Sequence, residues 1–163
     1  MKRTAAAAMF LCAGVLVAGC APADVAGSYS VALTNGMNGC GLSNFTPGDS
    51  SQGVGFEITQ TGAAVSGTAT GLTAVGLDLW LGGHVFTGTV SGTHVDMVLH
   101  GTRGMTTSGG CAYTWDARVE GDLTGNALQG TITYSAAAAD SAACAEIRQC
   151  RSVQTFSGTR PPR

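Results

Sequence analysis

The chain has 163 residues, of which 44% are hydrophobic, only 11% are charged and 25 are glycine, with a formal net charge of −2. Lys2 and Arg3 stand at the start; beyond residue 19 there is no lysine, and six arginines face ten acids, a formal charge of −4. That balance excludes nucleic acid as a partner, because phosphate binding needs a basic patch, and it leaves Ser, Thr, Gly, Asn and Gln to cover the surface.

Behind the positive start, residues 5–17 form an apolar run shorter than the roughly 20 residues of a spanning helix. The small residues Ala18 and Gly19 then precede Cys20 in Leu16-Val17-Ala18-Gly19-Cys20. This resembles the lipobox of a bacterial lipoprotein signal peptide. The resemblance implies that residues 1–19 are removed, that Cys20 is lipidated, and that the chain meets the membrane through that anchor. An ordinary secretory signal cleaved near Ala18 is the alternative. Ala21 stands where enterobacterial lipoproteins retained at the inner membrane have Asp, so the same resemblance points to the outer membrane, on its periplasmic face or at the cell surface. Residues 20–26 then read as a lipidated N-terminus and a short linker, with a reach of about 3.5 Å per residue. No later run is long and apolar enough to span a bilayer as a helix.

Cleavage after residue 19 leaves 144 residues, the size of one domain, predicted over 27–159. Cys12 leaves with the leader, so Cys40, Cys111, Cys144 and Cys150 remain. An even number in an oxidising compartment predicts two disulfides with three possible connectivities. Locality favours Cys144–Cys150, and with it Cys40–Cys111. A metal site is disfavoured, since neither a C-x-x-C spacing nor a Cys/His pairing occurs, and no cofactor is expected.

In chain order, the domain is a succession of short alternating strands. Tyr29, Val31 and Leu33 alternate with polar or small residues. So do Val54, Phe56 and Ile58; Val65, Gly67 and Ala69; and Val95, Met97 and Leu99. The clearest run is Tyr113, Trp115, Ala117, Val119 and Leu123, followed by Leu128, Ile132 and Tyr134. Period two puts each set on one face, which suits an antiparallel sheet with one wet side. Hairpins are predicted at Thr61-Gly62-Ala63, Ser91-Gly92-Thr93 and Thr124-Gly125-Asn126. A Gly-Thr pair recurs at Gly67, Gly88 and Gly130. Residues 35–51 read as a long connection pinned by Cys40. Residues 72–81 read as a further strand with Val75, Leu77, Leu79 and Leu81 on one face, or as an apolar loop or lid. Residues 135–149, rich in alanine, are the one predicted helix. A last strand follows at 152–158, and residues 160–163 read as a disordered tail.

The expected fold is all-β: an antiparallel up-and-down β-barrel of eight to nine strands with one helix before the last strand, closure being the way to remove sheet edges. A β-sandwich is the alternative. The pattern, with Gly27-Ser28-Tyr29 in place of a Gly-x-Trp opening, resembles the lipocalin–avidin (calycin) class of barrels.

No catalytic constellation is found. His94, Asp96 and His100 share parity on one strand, about 6.6 Å apart for each two residues, but read as a solvated outer face. Asp116, Glu120 and Asp122 read likewise, with Arg118 among them. There is no Gly-x-Ser-x-Gly elbow, Walker loop or dinucleotide fingerprint. The candidate site is therefore the inner face, where Phe56, Met97, Tyr113, Trp115 and Tyr134 are expected to point inward among Gly67, Ala69, Gly88, Ala117, Gly121 and Gly130, with no charged side chain between them. The expected function is a non-catalytic, monomeric envelope lipoprotein binding a small apolar ligand or an envelope partner. A structural or enzyme-inhibitor protein working through its loops is the alternative.

Overall fold

The computed structural model describes residues 21–162. The leader, Cys20 and Arg163 lie outside the described residues. The elements run β1 (Gly27–Asn38), β2 (Ser50–Thr61), β3 (Ala64–Ala69), α1 (Gly71–Trp80), β4 (Val85–Ser91), β5 (His94–His100), β6 (Met105–Thr106), β7 (Ala112–Thr124), β8 (Ala127–Ala138), α2 (Ala145–Gln149) and β9 (Ser152–Thr159), with a 3₁₀ turn at Ala142–Cys144. All pairings are antiparallel. β5 pairs with β7 and β1 with β9, so eight strands form a closed ring. That closure makes the architecture a barrel and excludes the two-layer sandwich. The two-residue β6 continues along the β7 edge that β5 uses.

The alternation read from the sequence is the inside–outside division of this barrel. Tyr29, Val31, Ile58, Val65, Phe86, Val95, Met97, Leu99, Trp115, Ala117, Val119, Leu128, Tyr134 and Phe156 form one buried cluster. Three tight hairpins close on Gly62, Gly92 and Gly125, all at positive φ (61°, 57° and 60°). Each opens a two-residue turn, where glycine takes the left-handed conformation at no steric cost. In β2, Gly53 at φ 70° accompanies a register shift against β1 between Val31 and Leu33, a bulge that bends the strand.

The barrel has two unlike ends. One carries the three tight turns and both termini of the domain; the other carries every long connection. At the tight end, residues 23–26 are part of the fold and not a free linker. Val25 is fully buried, and its N–H donates to Gln60 Oε1 at 2.8 Å. Ala23 N–H donates to the carbonyl of Gly92. The expected tail begins with a fixed residue too: the Arg160 guanidinium lies 5.8 Å over the Tyr29 ring and donates to the carbonyls of Ala26 and Asp24.

Four further expectations are corrected. Residues 72–81 are helical over Gly71–Trp80, not a strand; Gly71 (φ 65°) turns the chain out of β3 and Gly82 (φ 86°) turns it back. The predicted helix at 135–149 shrinks to Ala145–Gln149, because Ser135–Ala138 stay in β8, paired with Tyr113–Asp116. Ladder pairing there overrides the helix propensity of alanine. The connection predicted over 35–51 is shorter, since β1 runs to Asn38 and β2 begins at Ser50. The disulfides are Cys40–Cys150 and Cys111–Cys144, not the local pairing. The β1–β9 ladder places Asn38 opposite Ser152, and two more residues of antiparallel register bring Cys40 opposite Cys150.

Candidate functional site

The interior is not completely filled. A cavity of ≈ 70 Å³ lies inside the barrel, walled by Tyr29, Val31, Leu33, Val54, Phe56, Ala69, Phe86, Val119, Leu128, Ile132, Tyr134 and Phe156, and closed toward the mouth by Thr73 and Leu77 of α1. Its wall is almost wholly apolar, so it has no partners with which to hold water. It is about half the size of an engineered cavity of roughly 150 Å³ that binds benzene. A ligand of ordinary size must therefore extend beyond it, past α1.

Outside the cavity a groove of ≈ 560 Å³ runs between α1 and the β1–β2 loop, within the roughly 300–1,000 Å³ typical of small-molecule sites. Leu33, Val54, Thr73, Leu77 and Tyr134 line both spaces. The loop wall is firmly built. The Asn38 amide donates to the carbonyls of Leu42 (2.9 Å) and Phe45 (3.0 Å), and its Oδ1 accepts from Leu42 N–H and from Ser152 Oγ. Phe45 packs edge-on against Tyr134 at 6.1 Å, and Cys40–Cys150 fixes the loop base. The Tyr134 hydroxyl donates to Gln154 Oε1 (2.8 Å), and Gln154 Nε2 donates to Asn35 Oδ1 (2.7 Å). Burial pushes the Tyr134 phenol pKa up, so it stays a neutral donor.

The opposite wall, α1, is held differently. It has no side-chain N-cap and no buried residue. Its attachments gather in its last turn: Trp80 rests on Tyr134 (5.1 Å) and Trp115 (6.1 Å), Asp78 pairs with His84 (2.7 Å), Arg103 Nε donates to the Asp78 carbonyl, and the following Leu81 is fully buried. Leu72, Val75 and Leu79 point outward; Leu72 is 89% exposed.

The five inner-face candidates divide accordingly. Phe56 and Tyr134 stand in the cavity wall. Met97 is fully buried core beyond it, with its sulfur 3.1 Å from where a Gly67 Cβ would lie. Trp115 is buried beneath Trp80, and Tyr113, half-buried against the core on the stretch of β7 that pairs with β6, packs edge-on to it at 5.4 Å. Leu77 belongs to the stretch 72–81, for which an apolar loop or lid is one of the two sequence readings, and it lines both the cavity and the groove. Thr73, Trp80 and Phe45 are not singled out, because no local pattern announces which residues of that helix and of the β1–β2 loop face the mouth.

The titratable candidates on β5 and β7 pair off on the outer surface. His94 bonds Asp122 (3.2 Å), His100 bonds Asp116 (3.0 Å), and Arg118 bridges Asp96 (2.6 Å) and Glu120 (3.4 Å). The hydrogen bond from Arg118 holds the Asp96 carboxyl below its usual pKa. Among the described residues, no three His, Cys, Asp or Glu side chains converge to hold a metal, and no helix is long and apolar enough to cross a membrane. No protein-family model, curated protein or solved structure matches the chain.

Proposed function

We propose that this is a lipid-anchored, non-catalytic binding module of the bacterial cell envelope, which takes a small apolar ligand into its barrel through the mouth under α1. One observation carries the reading: the barrel keeps an apolar cavity directly beneath a helix that has no buried residue and no side-chain N-cap. A core packed for stability alone would fill that space from the wall, for instance at Ala69. Anchorage at Cys20 rests on the leader pattern, and the acid–base groups paired on the outer wall favour binding over catalysis. With residues 23–26 bound to the tight end, a lipid at Cys20 would hold that end to the membrane and turn the mouth away from it.

Mass spectrometry of the gently purified, disulfide-bonded protein tests both parts. The denatured mass should correspond to residues 20–163 plus acyl groups. The native mass should carry an extra species of a few hundred daltons, absent from Ala69→Leu, which fills the cavity. An unacylated mass removes the anchor, and a bare native mass removes the ligand. The outward Leu72, Val75 and Leu79 favour a second reading, in which α1 docks an envelope protein; crosslinking from position 75 that captures one reproducible partner supports it.

A further inference from the structure

We infer that the groove between α1 and the β1–β2 loop is a head-group subsite, so that the ligand is an uncharged amphiphile: a slim apolar tail in the barrel and a neutral, hydrogen-bonding head such as a polyol ester or amide in the groove. The inference rests on the barrel-binding reading above and narrows its ligand class.

Three observations carry it. First, groove and cavity adjoin across shared walls, Leu33, Val54, Thr73, Leu77 and Tyr134, so that a shift of α1 would join them, while the cavity is too small to hold an ordinary ligand whole. Second, the two differ in chemistry. The cavity is apolar, whereas the groove adds the hydroxyls of Ser43 and Ser51 and the amides of Asn44 and Gln154. No Asp, Glu, Lys, Arg or His lines either space. A carboxylate, phosphate or ammonium head finds no opposite charge there to offset whatever hydration it gives up, whereas hydroxyl, ester or amide heads find both donors and acceptors. Third, the polar wall is built in advance. Asn38 holds the loop carbonyls, and Asn44 is the only described non-glycine residue at positive φ (54°), a conformation uncommon outside Asn, Asp and Gly. A rigid polar wall facing a loosely held helix suits a site that fixes the head while α1 yields to the tail.

The test compares monodecanoylglycerol, decanoate, decyltrimethylammonium and decane, titrated into the disulfide-bonded full-length protein below micellar concentrations and followed by native mass spectrometry. Monodecanoylglycerol should bind at least about tenfold tighter than the other three. Asn44→Gly, which suits the local backbone and leaves the core untouched, should weaken monodecanoylglycerol by about three- to tenfold, the worth of a hydrogen bond, and leave decane unchanged. Gln154→Leu should act in the same direction. Equal binding of monodecanoylglycerol and decane, preference for a charged head, or no effect of either substitution overturns the head-group subsite and leaves the barrel reading standing. Failure of all four to bind the wild-type chain overturns both.

Discussion

A methyl group at Gly88 would stand 1.9 Å from the carbonyl oxygen of Asp96 and 2.6 Å from Cα of Met97, its cross-strand partner. Gly130 is equally crowded, 1.9 Å from the Glu120 oxygen and 2.5 Å from Gly121 Cα. At these two places one strand folds onto the next, and only glycine allows so close an approach. Gly62 differs: its φ of 61° requires glycine, yet nothing lies within 4 Å of a Cβ there. Gly88→Ala should therefore cost about 1–3 kcal/mol through displaced strand backbone, and Gly62→Ala about 1–2 kcal/mol through backbone strain alone. The two separate by structure more than by energy. Urea unfolding should show both losses, but only Gly88→Ala should speed amide exchange along β5. Unchanged exchange in β5 would mean that the strands are not pressed together at this point. The Gly-Thr recurrence at Gly67, Gly88 and Gly130 and the turn glycines were both legible in the sequence. The close strand approach at Gly88 and Gly130 was not, since the obstructing atoms belong to another strand.

Helix α1 shows where reading by element reaches its limit. In residues 72–81, Val75, Leu77, Leu79 and Leu81 fit period two, yet Leu72, Val75 and Leu79 fit a helical face equally well. Flanking glycines at positive φ and the space over the mouth decide for the helix. Phe56 and Tyr134 lie on strands whose alternation is unambiguous, so that part of the cavity wall could be read; for 72–81 an apolar lid is one of two open readings, and which of its residues turn inward follows only from the helix. The same helix should open readily. Between the Thr70 N–H, held by the Gly55 carbonyl, and Leu77 it has no polar tether to the barrel among the described residues, and Gly76 within it has no neighbour within 4 Å of a Cβ. Gly76→Ala should thus stabilise α1 by about 1 kcal/mol, slow its opening about fivefold, and slow ligand entry to match. Amide exchange should find residues 74–76, the first with intrahelical acceptors, at least about a hundredfold faster than Val95–Leu99, and slower in the alanine variant. Equal protection of helix and strand would show that α1 moves only with the whole barrel.

At the scale of the molecule, the two ends are held by different physics. Hairpin geometry and a buried Val25 close the tight end; the mouth end has long connections with little core and is held by both disulfides. Residues 139–151 are tied on one side to the β1–β2 loop and on the other to the chain before β7. The sequence supplied the cysteine count but not this arrangement, because connectivity follows from which strands close the ring. Chain entropy ranks the two bonds. Their spans of 110 and 33 residues correspond to about 5 and 4 kcal/mol of lost denatured-state freedom. Replacing Cys40 and Cys150 together by Ser should therefore destabilise the protein by about 1 kcal/mol more than replacing Cys111 and Cys144. It should also loosen the groove wall, weakening ligand capture beyond the loss of stability, because Cys40 stands at the base of the β1–β2 loop, whereas Cys111–Cys144 ties the chain before β7 to the 3₁₀ turn. Denaturant midpoints of the two double variants, with peptide mapping under non-reducing conditions, check the ranking and the pairing together. A larger loss on removing the Cys111–Cys144 bond would mean that native-state packing around buried Cys111 and Cys144, and not loop closure, sets the stability of the mouth.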